Sequence, residues 1–459
     1  MGRLFGTDGA RGVANTELTA ELAMNIGRAA AMVLVNDEVK HPTILIGKDT
    51  RLSGDMLEGA LIAGLCSVGA NVKLLGVVPT PAVAYLVKKY NADAGVMISA
   101  SHNPFEFNGI KIFSSEGYKL PDDLENRIEE IVLDHAVPYA TAKDGEIGRV
   151  DTLESAVDDY INHVAEAVGE DLSGMEIALD CSNGSSSRTA EKLFTKLGVK
   201  VHMLFDEPDG ININKDCGST HTKKLQEYVR QNKLSAGLAF DGDADRCLAV
   251  DENGNLVDGD FLIAICANDM MKNGKLKKNT AVGTVMTNMG FSKFCEANGI
   301  DFVSTKVGDR YVLESMLQNG YNIGGEQSGH IIFLDHSTTG DGELSGAMVL
   351  SIMKRTGEKL SDLAKIMERY PQVLINVKVS NEGKLSFYTD KEVKAEINRV
   401  TEILGDTGRI LVRVSGTEPL VRVMLEGENL EQIQTLAEEA AQVAVSYTHL
   451  RAHETAANL

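Results

Sequence analysis

Thr43-Ile-Leu-Ile-Gly47, Asn71-Val-Lys-Leu-Leu-Gly-Val-Val78 and Asp93-Ala-Gly-Val-Met-Ile98 are short apolar runs rich in β-branched residues. An amphipathic stretch, 53–69 and then 81–90, separates each from the next. Strand-length runs alternating with helix-length stretches indicate α/β layering, because each helix covers a face of the sheet that the strands build. The third run leads into a polar turn over 99–109. The pattern restarts at Glu176-Ile-Ala-Leu-Asp180 with a helix expected over 185–198, and again at Thr280-Ala-Val-Gly-Thr284 with a helix over 289–298. The chain therefore reads as three similar α/β units, a weak internal repeat. From about 371 the order becomes strand 373–380, helix 391–404, strands 409–414 and 420–426, and a last helix over 429–445, a smaller two-layer α+β domain.

Polar stretches place the expected boundaries near 138–152, near 254–259 and before Pro371, giving domains over 1–150, 151–255, 256–370 and 371–445. Residues 446–459 have no apolar periodicity and are expected to form a disordered tail, foreign to the domain before it.

With 459 residues and 43% hydrophobic content the chain can bury several cores. Its 45 basic and 66 acidic residues give a net charge of -21, which repels nucleic acid and anionic membrane. An anionic small molecule would need a locally basic pocket. The six cysteines, at 66, 181, 217, 247, 266 and 295, include no CxxC pair and read as reduced, buried thiols of a cytoplasmic protein. The N-terminus lacks an apolar signal core, and Arg28, Lys73 and Lys88 interrupt the apolar runs, so neither export nor membrane anchoring is expected.

Four motifs carry chemistry. Ser99-Ala-Ser-His-Asn-Pro104 follows a strand and precedes Asn108-Gly-Ile-Lys111. A serine at a strand end is expected to be exposed and able to act as nucleophile; SxNP alone fits a capped turn better, and the company of His102, Lys111 and the motifs that follow favours the nucleophile. Asp241-Gly-Asp-Ala-Asp-Arg246 sets carboxylates at every second position, hard oxygen ligands suited to Mg²⁺. An EF-hand is excluded because Arg246 occupies the sixth position, where glycine is required, and a strand enters the loop. Gly324-Gly-Glu-Gln-Ser-Gly-His330 offers Glu326 and Ser328 as hydrogen-bonding groups for a sugar, beside glycines that admit close approach. Arg413-Val-Ser-Gly-Thr-Glu-Pro419, with Arg422, combines guanidinium forks, hydroxyls and backbone N–H groups into a phosphate cradle.

These four motifs, in this order, resemble the α-D-phosphohexomutase superfamily over roughly residues 1–445. The opening Phe5-Gly-Thr-Asp-Gly-Ala-Arg-Gly12 and Gly325-Glu-Gln-Ser-Gly329 look most like its branch acting on glucosamine phosphates; broader relatives often carry Met in place of Gln327. The resemblance implies three similar three-layer α/β domains with mixed sheets plus a C-terminal two-layer α+β domain, set around a central cleft. It implies that Ser101 is phosphorylated, that Asp241, Asp243 and Asp245 bind one Mg²⁺ with Ser101 completing the site, and that Arg11, Lys111 and Arg246 steady the transferring phosphoryl group. His102 accompanies the serine. Glu326 and Ser328 would read sugar hydroxyls, His330 would transfer a proton, and Arg413, Ser415, Gly416, Thr417 and Arg422 would hold the non-reacting phosphate. Ala10 and Ser185-Ser-Ser187 depart from the family pattern without touching these roles.

The implied reaction interconverts glucosamine 6-phosphate and glucosamine 1-phosphate through a 1,6-bisphosphate, on the way to UDP-N-acetylglucosamine and peptidoglycan precursors. A hexose 1,6-bisphosphate would prime it. A phosphomannomutase or phosphoglucomutase is the rival within the class, a metal-dependent sugar phosphatase the rival outside it, and a non-catalytic phosphosugar sensor a third reading. Monomer and homodimer stay equally open.

Overall fold

The computed structural model describes residues 3–6, 8–34, 41–379, 390–414 and 420–457, with side chains as far as 444. The chain divides into two compact units, Met1–Met286 with Asn298–Ile366, and Thr287–Ala297 with Met367–Leu459.

The larger unit holds three mixed sheets. The first runs in the order Phe5–Gly6, Gly9–Val13, Phe107–Ser114, Ala94–Ile98, Thr43–Lys48, Asn71–Val77, Val150–Thr152. Thr43–Lys48 lies parallel to both Asn71–Val77 and Ala94–Ile98. Parallel neighbours need crossovers, and the helices Gly54–Ser67 and Thr80–Lys89 supply them. All five residues of Ala94–Ile98 are buried, as an interior strand covered on both faces requires. The second sheet orders Leu256–Val257, Cys247–Val250, Ala236–Phe240, Glu176–Asp180 and Lys200–Leu204; the third orders Asp301–Thr305, Thr280–Thr284, Ile323–Gly325 and Ile331–Phe333.

One connection recurs. In each sheet a strand in the parallel set hands over to an antiparallel neighbour: Ala94–Ile98 to Phe107–Ser114, Ala236–Phe240 to Cys247–Val250, and Ile323–Gly325 to Ile331–Phe333. The three sequence motifs at 99–106, 241–246 and 326–330 are these three links. The repeat read from the sequence is therefore also a repeat of functional loops.

In the smaller unit an antiparallel sheet, Gln372–Lys378, Leu420–Gly427 and Gly408–Val414, packs against helices Lys391–Leu404 and Leu430–Ala457. Val373, Val400, Val423, Leu425, Ile433 and Leu436 form its core. This is the expected two-layer α+β arrangement.

Four expectations change. The strand Val150–Thr152 pairs with Asn71–Val77, so a boundary at 150 would cut the first sheet. The helix Met289–Asn298 belongs almost wholly to the smaller unit: Gly290 approaches Glu368, and Asn288 Nδ2 donates to the Tyr370 carbonyl at 3.0 Å. The single helix expected over 185–198 is a 3₁₀ turn, Ser185–Arg188, followed by Ala190–Lys196. The last helix continues to Ala457 instead of ending at 445, because no glycine or proline interrupts it.

The first helix, Ala20–Leu34, rests on Gly54–Ser67 so closely that a Cβ on Gly64 would lie 2.2 Å from the Met24 carbonyl oxygen. Gly64→Ala must push two helices apart, so a loss of about 1–3 kcal/mol is expected. A lowered thermal midpoint checks it; an unchanged midpoint would show that the helices separate freely.

Candidate active site

The Ser101 loop is built from beneath. Asp49 and Arg51 follow the strand Thr43–Lys48, and their ion pair, Nε to Oδ2 at 2.8 Å, is fully buried. Asp49 also accepts from Ser99 Oγ at 2.7 Å, and Ser99 Oγ accepts from the Ser101 N–H at 3.0 Å. The rest of the Arg51 fork donates to the carbonyls of Ser101, at 2.9 Å, Asn103, at 2.8 Å, Phe107, at 3.0 Å, and Pro104. Asn214 Nδ2 adds bonds to the same Ser101 and Asn103 carbonyls. These bonds hold Ser101 at φ 53°, a left-handed conformation costing a non-glycine residue about 1–3 kcal/mol. The expectation of an exposed serine is corrected: Ser101 is 1% exposed. Gly242 packs against its carbonyl, where a Cβ would come within 2.6 Å, and so covers the loop.

The Ser101 hydroxyl donates to Asp241 Oδ2 at 2.6 Å. Asp241, Asp243 and Asp245 are buried, with one carboxylate oxygen from each lying within 4.8 Å of the others. Like charges that close repel unless cations intervene. Lys111, from the strand Phe107–Ser114, puts Nζ 2.7 Å from Asp243, 3.4 Å from Asp245 and 3.3 Å from Asp8. Burial alone would lower its pKa, but the Asp243, Asp8 and Asp245 carboxylates outweigh burial and raise it, so it remains an ammonium. In turn burial would raise Asp243, and Lys111 drives it down. Asp241 has no lysine beside it: burial, then Asp245 and Asp243, push it well above the usual carboxylate range against the opposing effect of Arg246 and the Ser101 hydroxyl.

Arg246 Nη1 donates to His102 Nδ1 at 3.0 Å, and Ser101 Oγ is 3.4 Å from the same nitrogen. Burial, then Arg246 and Arg11, lower the His102 pKa to about 4. His102 is thus a neutral acceptor that orients Arg246, and a weak base. Arg11 pairs with Asp8, three residues earlier, at the turn into the strand Gly9–Val13.

The third loop lies against the second through backbone contacts. Cys247 N–H donates to the Gly329 carbonyl at 3.0 Å, and Gly329, at φ 92°, leaves no room for a Cβ beside Cys247. Glu326 Oε1 accepts from the Gly308 N–H at 3.1 Å, Ser328 is exposed, and Gln327 reaches Asp258 at 3.4 Å. His330 is buried against Gly340, with Nε2 3.6 Å from Asp309 and 4.0 Å from Asp245. Lys119 bridges Asp309 and Asp8 at 2.6 Å each, tying the third sheet's domain to the first.

Sequence reading missed Asp8, Asp49, Arg51, Thr80, Lys119 and Asp309. The one available signal was the polar run Lys48-Asp-Thr-Arg51 directly after a buried parallel strand, the end at which such sheets carry their sites.

In the smaller unit Arg413 and Arg422 are register partners of one antiparallel pair, so both guanidinium groups leave the same face of that hairpin. Ser415, Gly416 and Thr417 lie outside the described residues.

The triad fits a divalent cation. Asp243 Oδ1 and Asp245 Oδ1 are buried without a hydrogen-bond partner among the described residues, as carboxylate oxygens facing a cation would be. Arg11 Nε and Arg246 Nε are buried and unpartnered in the same sense, suited to phosphate oxygens.

A buried serine hydroxyl bonded to a carboxylate triad, beside guanidinium nitrogens without hydrogen-bond partners among the described residues, is an arrangement suited to phosphoryl transfer. Family models described as phosphoglucomutase/phosphomannomutase α/β/α domains I, II and III and C-terminal domain match residues 2–136, 158–254, 258–370 and 374–443. The chain belongs to that family. It is 56% identical over 443 residues, 96% of its length and 99% of the relative's, to the phosphoglucosamine mutase of Acetivibrio thermocellus. To that of Clostridium novyi it is 56% identical over 445 residues, 96% and 98% of the two chains. Its fold matches a phosphoglucomutase/phosphomannomutase family protein of Burkholderia thailandensis with TM-score 0.81, at 22% identity over 97% of each chain.

Arg51→Lys keeps the charge and loses the fork. Ser101 phosphorylation and kcat are expected to fall at least about tenfold, or about 1.4 kcal/mol, with KM little changed. Intact-mass and steady-state measurements check this; a variant within twofold of wild type would show that the loop holds its conformation without Arg51.

Proposed function

We propose that this chain interconverts glucosamine 6-phosphate and glucosamine 1-phosphate, with Ser101 carrying the transferred phosphoryl group. The observation that carries the reading is the Ser101 hydroxyl bonded to Asp241, at the edge of a carboxylate triad neighboured by Lys111, Arg246 and Arg11. The near full-length identity to phosphoglucosamine mutases supports the amino sugar as substrate.

In the forward half-reaction the bond from phosphorus to Ser101 Oγ breaks and a bond to the free sugar hydroxyl forms, giving the 1,6-bisphosphate. The hydroxyl proton leaves for a base, a role we assign to His330, supported by its having no hydrogen bond to either ring nitrogen among the described residues. After the bisphosphate turns end over end, the other phosphoryl group returns to Ser101. Lys111 serves as a fixed cation, since its carboxylate neighbours keep it protonated. Magnesium held by Asp241, Asp243, Asp245 and the Ser101 phosphate would neutralise charge on the transferring group. A hexose 1,6-bisphosphate primes the unphosphorylated serine. Arg413 and Arg422, with Ser415, Gly416 and Thr417, hold the phosphate that is not reacting, and Glu326 and Ser328 read the sugar.

The product is a precursor for amino-sugar nucleotides. Six free thiols, five of them buried, suit a reducing cytoplasm. Among the described residues no helix is long and apolar enough to cross a membrane.

A coupled assay on one preparation tests the reading. kcat/KM for glucosamine 6-phosphate should exceed that for glucose and mannose 6-phosphates by about tenfold to a thousandfold, about 1.4–4 kcal/mol. Equal turnover of all three would replace it with a general hexose phosphomutase, and stoichiometric release of inorganic phosphate with a phosphatase. Ser101→Ala should abolish turnover with bisphosphate primer present; substantial residual turnover would remove the serine from the chemistry.

A further inference from the structure

Thr80 opens the helix Thr80–Lys89 and is fully buried between Pro79 and Pro81. Its hydroxyl donates to Asp243 Oδ2 at 2.6 Å, and its N–H donates to the Asp243 carbonyl at 2.9 Å, across a sequence separation of 163. The first N–H groups of a helix have no partner within it, so this amide is available, and the next residue, Pro81, has none. Two donors on one residue thus fix both the side chain and the backbone of Asp243.

Lys111 Nζ lies 2.7 Å from the same Oδ2. That oxygen therefore accepts from a hydroxyl and an ammonium, while Oδ1 is buried with no hydrogen-bond partner among the described residues. A carboxylate held by two strong donors on one oxygen does not rotate freely, and only its other oxygen is left to face a cation. Threonine suits the task because β-branching restricts χ1 and pre-positions the hydroxyl.

We propose that Thr80 is a positioning residue of the metal site: it locks Asp243 so that one oxygen alone meets the cation. Monodentate carboxylates favour a small six-coordinate ion such as Mg²⁺, whereas Ca²⁺ takes six to eight oxygens and often a bidentate carboxylate. Thr80 therefore sets both the strength and the ionic selectivity of the triad. The proposal rests on the reading of Asp241, Asp243 and Asp245 as metal ligands.

The test is calorimetric titration of the full chain with MgCl₂ and, separately, CaCl₂, with no sugar present. Thr80→Val keeps the shape and removes the hydroxyl; Mg²⁺ affinity is expected to fall about 10–100-fold, the usual effect of losing a partner behind a metal ligand, and the preference for Mg²⁺ over Ca²⁺ to narrow. Thr80→Ser retains the hydroxyl and should bind within about threefold of wild type on the same grounds. Thr80→Ala replaces the valine variant if the latter does not fold, with the same expected loss. Mg²⁺ binding by Thr80→Val within twofold of wild type, or a serine variant as weak as the valine one, overturns the proposal. Asp243→Asn separates the two readings: if it binds Mg²⁺ like wild type, the triad itself is not the site.

Discussion

Four carboxylates, Asp8, Asp241, Asp243 and Asp245, share one largely buried pocket, and the structure depends on how their repulsion is met. A buried unpaired charge costs several kcal/mol, so each acid needs a cation, a proton or a donor. Lys111 answers three of them from a strand of the first sheet. Ser101 donates to the fourth, Asp241, and Thr80 adds a second donor to Asp243, both from the same domain. The second domain supplies three of the acids, and the first supplies Asp8 together with these donors. Electrostatics thus joins the two more specifically than apolar packing, which any pair of smooth surfaces can provide.

The repeated topology explains why so many functional groups meet. Each α/β domain sends its link between a parallel strand and an antiparallel neighbour to the same place: the serine loop, the carboxylate loop, the glycine-rich loop. Such links carry left-handed residues, Ser101 at φ 53° and Ala244 at φ 53°, which a solvated hairpin would replace with glycine. Their persistence requires stiff support, and Arg51 and Asn214 provide it beneath Ser101. The loops are fixed before substrate arrives, as positioning catalysis requires.

What the sequence made legible was local. Alternating runs gave the strands, the hairpin motifs gave the candidate ligands, and the spacing of Asp241, Asp243 and Asp245 pointed to hard-oxygen chemistry because all three sit on one turn. The supports were not legible, because each acts across the chain: Arg51 on residues 50 to 56 positions away, Thr80 on Asp243, Lys119 on Asp309. Turn statistics made Ser101 an exposed residue, since they describe loops facing water, and this loop faces another domain. Periodicity likewise marked Met289–Asn298 as a helix without saying which unit it would join.

Among the described residues, the pocket's buried atoms without a hydrogen-bond partner include two carboxylate oxygens, Asp243 Oδ1 and Asp245 Oδ1, two guanidinium N–H groups, those of Arg11 Nε and Arg246 Nε, and both ring nitrogens of His330. A cation alone would meet the oxygens and leave the N–H groups unpaired. A phosphate alone would meet the N–H groups while its charge lay against the carboxylates. A cation and a phosphate together satisfy both, each also screening the other. On a chain of net charge -21 such a pocket would draw an anion only through this local arrangement, so a metal and a phosphoryl group bound there would stabilise one another. Cations already tied to carboxylates, as Lys111 and Arg11 are, would need no rearrangement if charge moved beside them, and fixed polarity of that kind lowers the barrier to a charge-moving step.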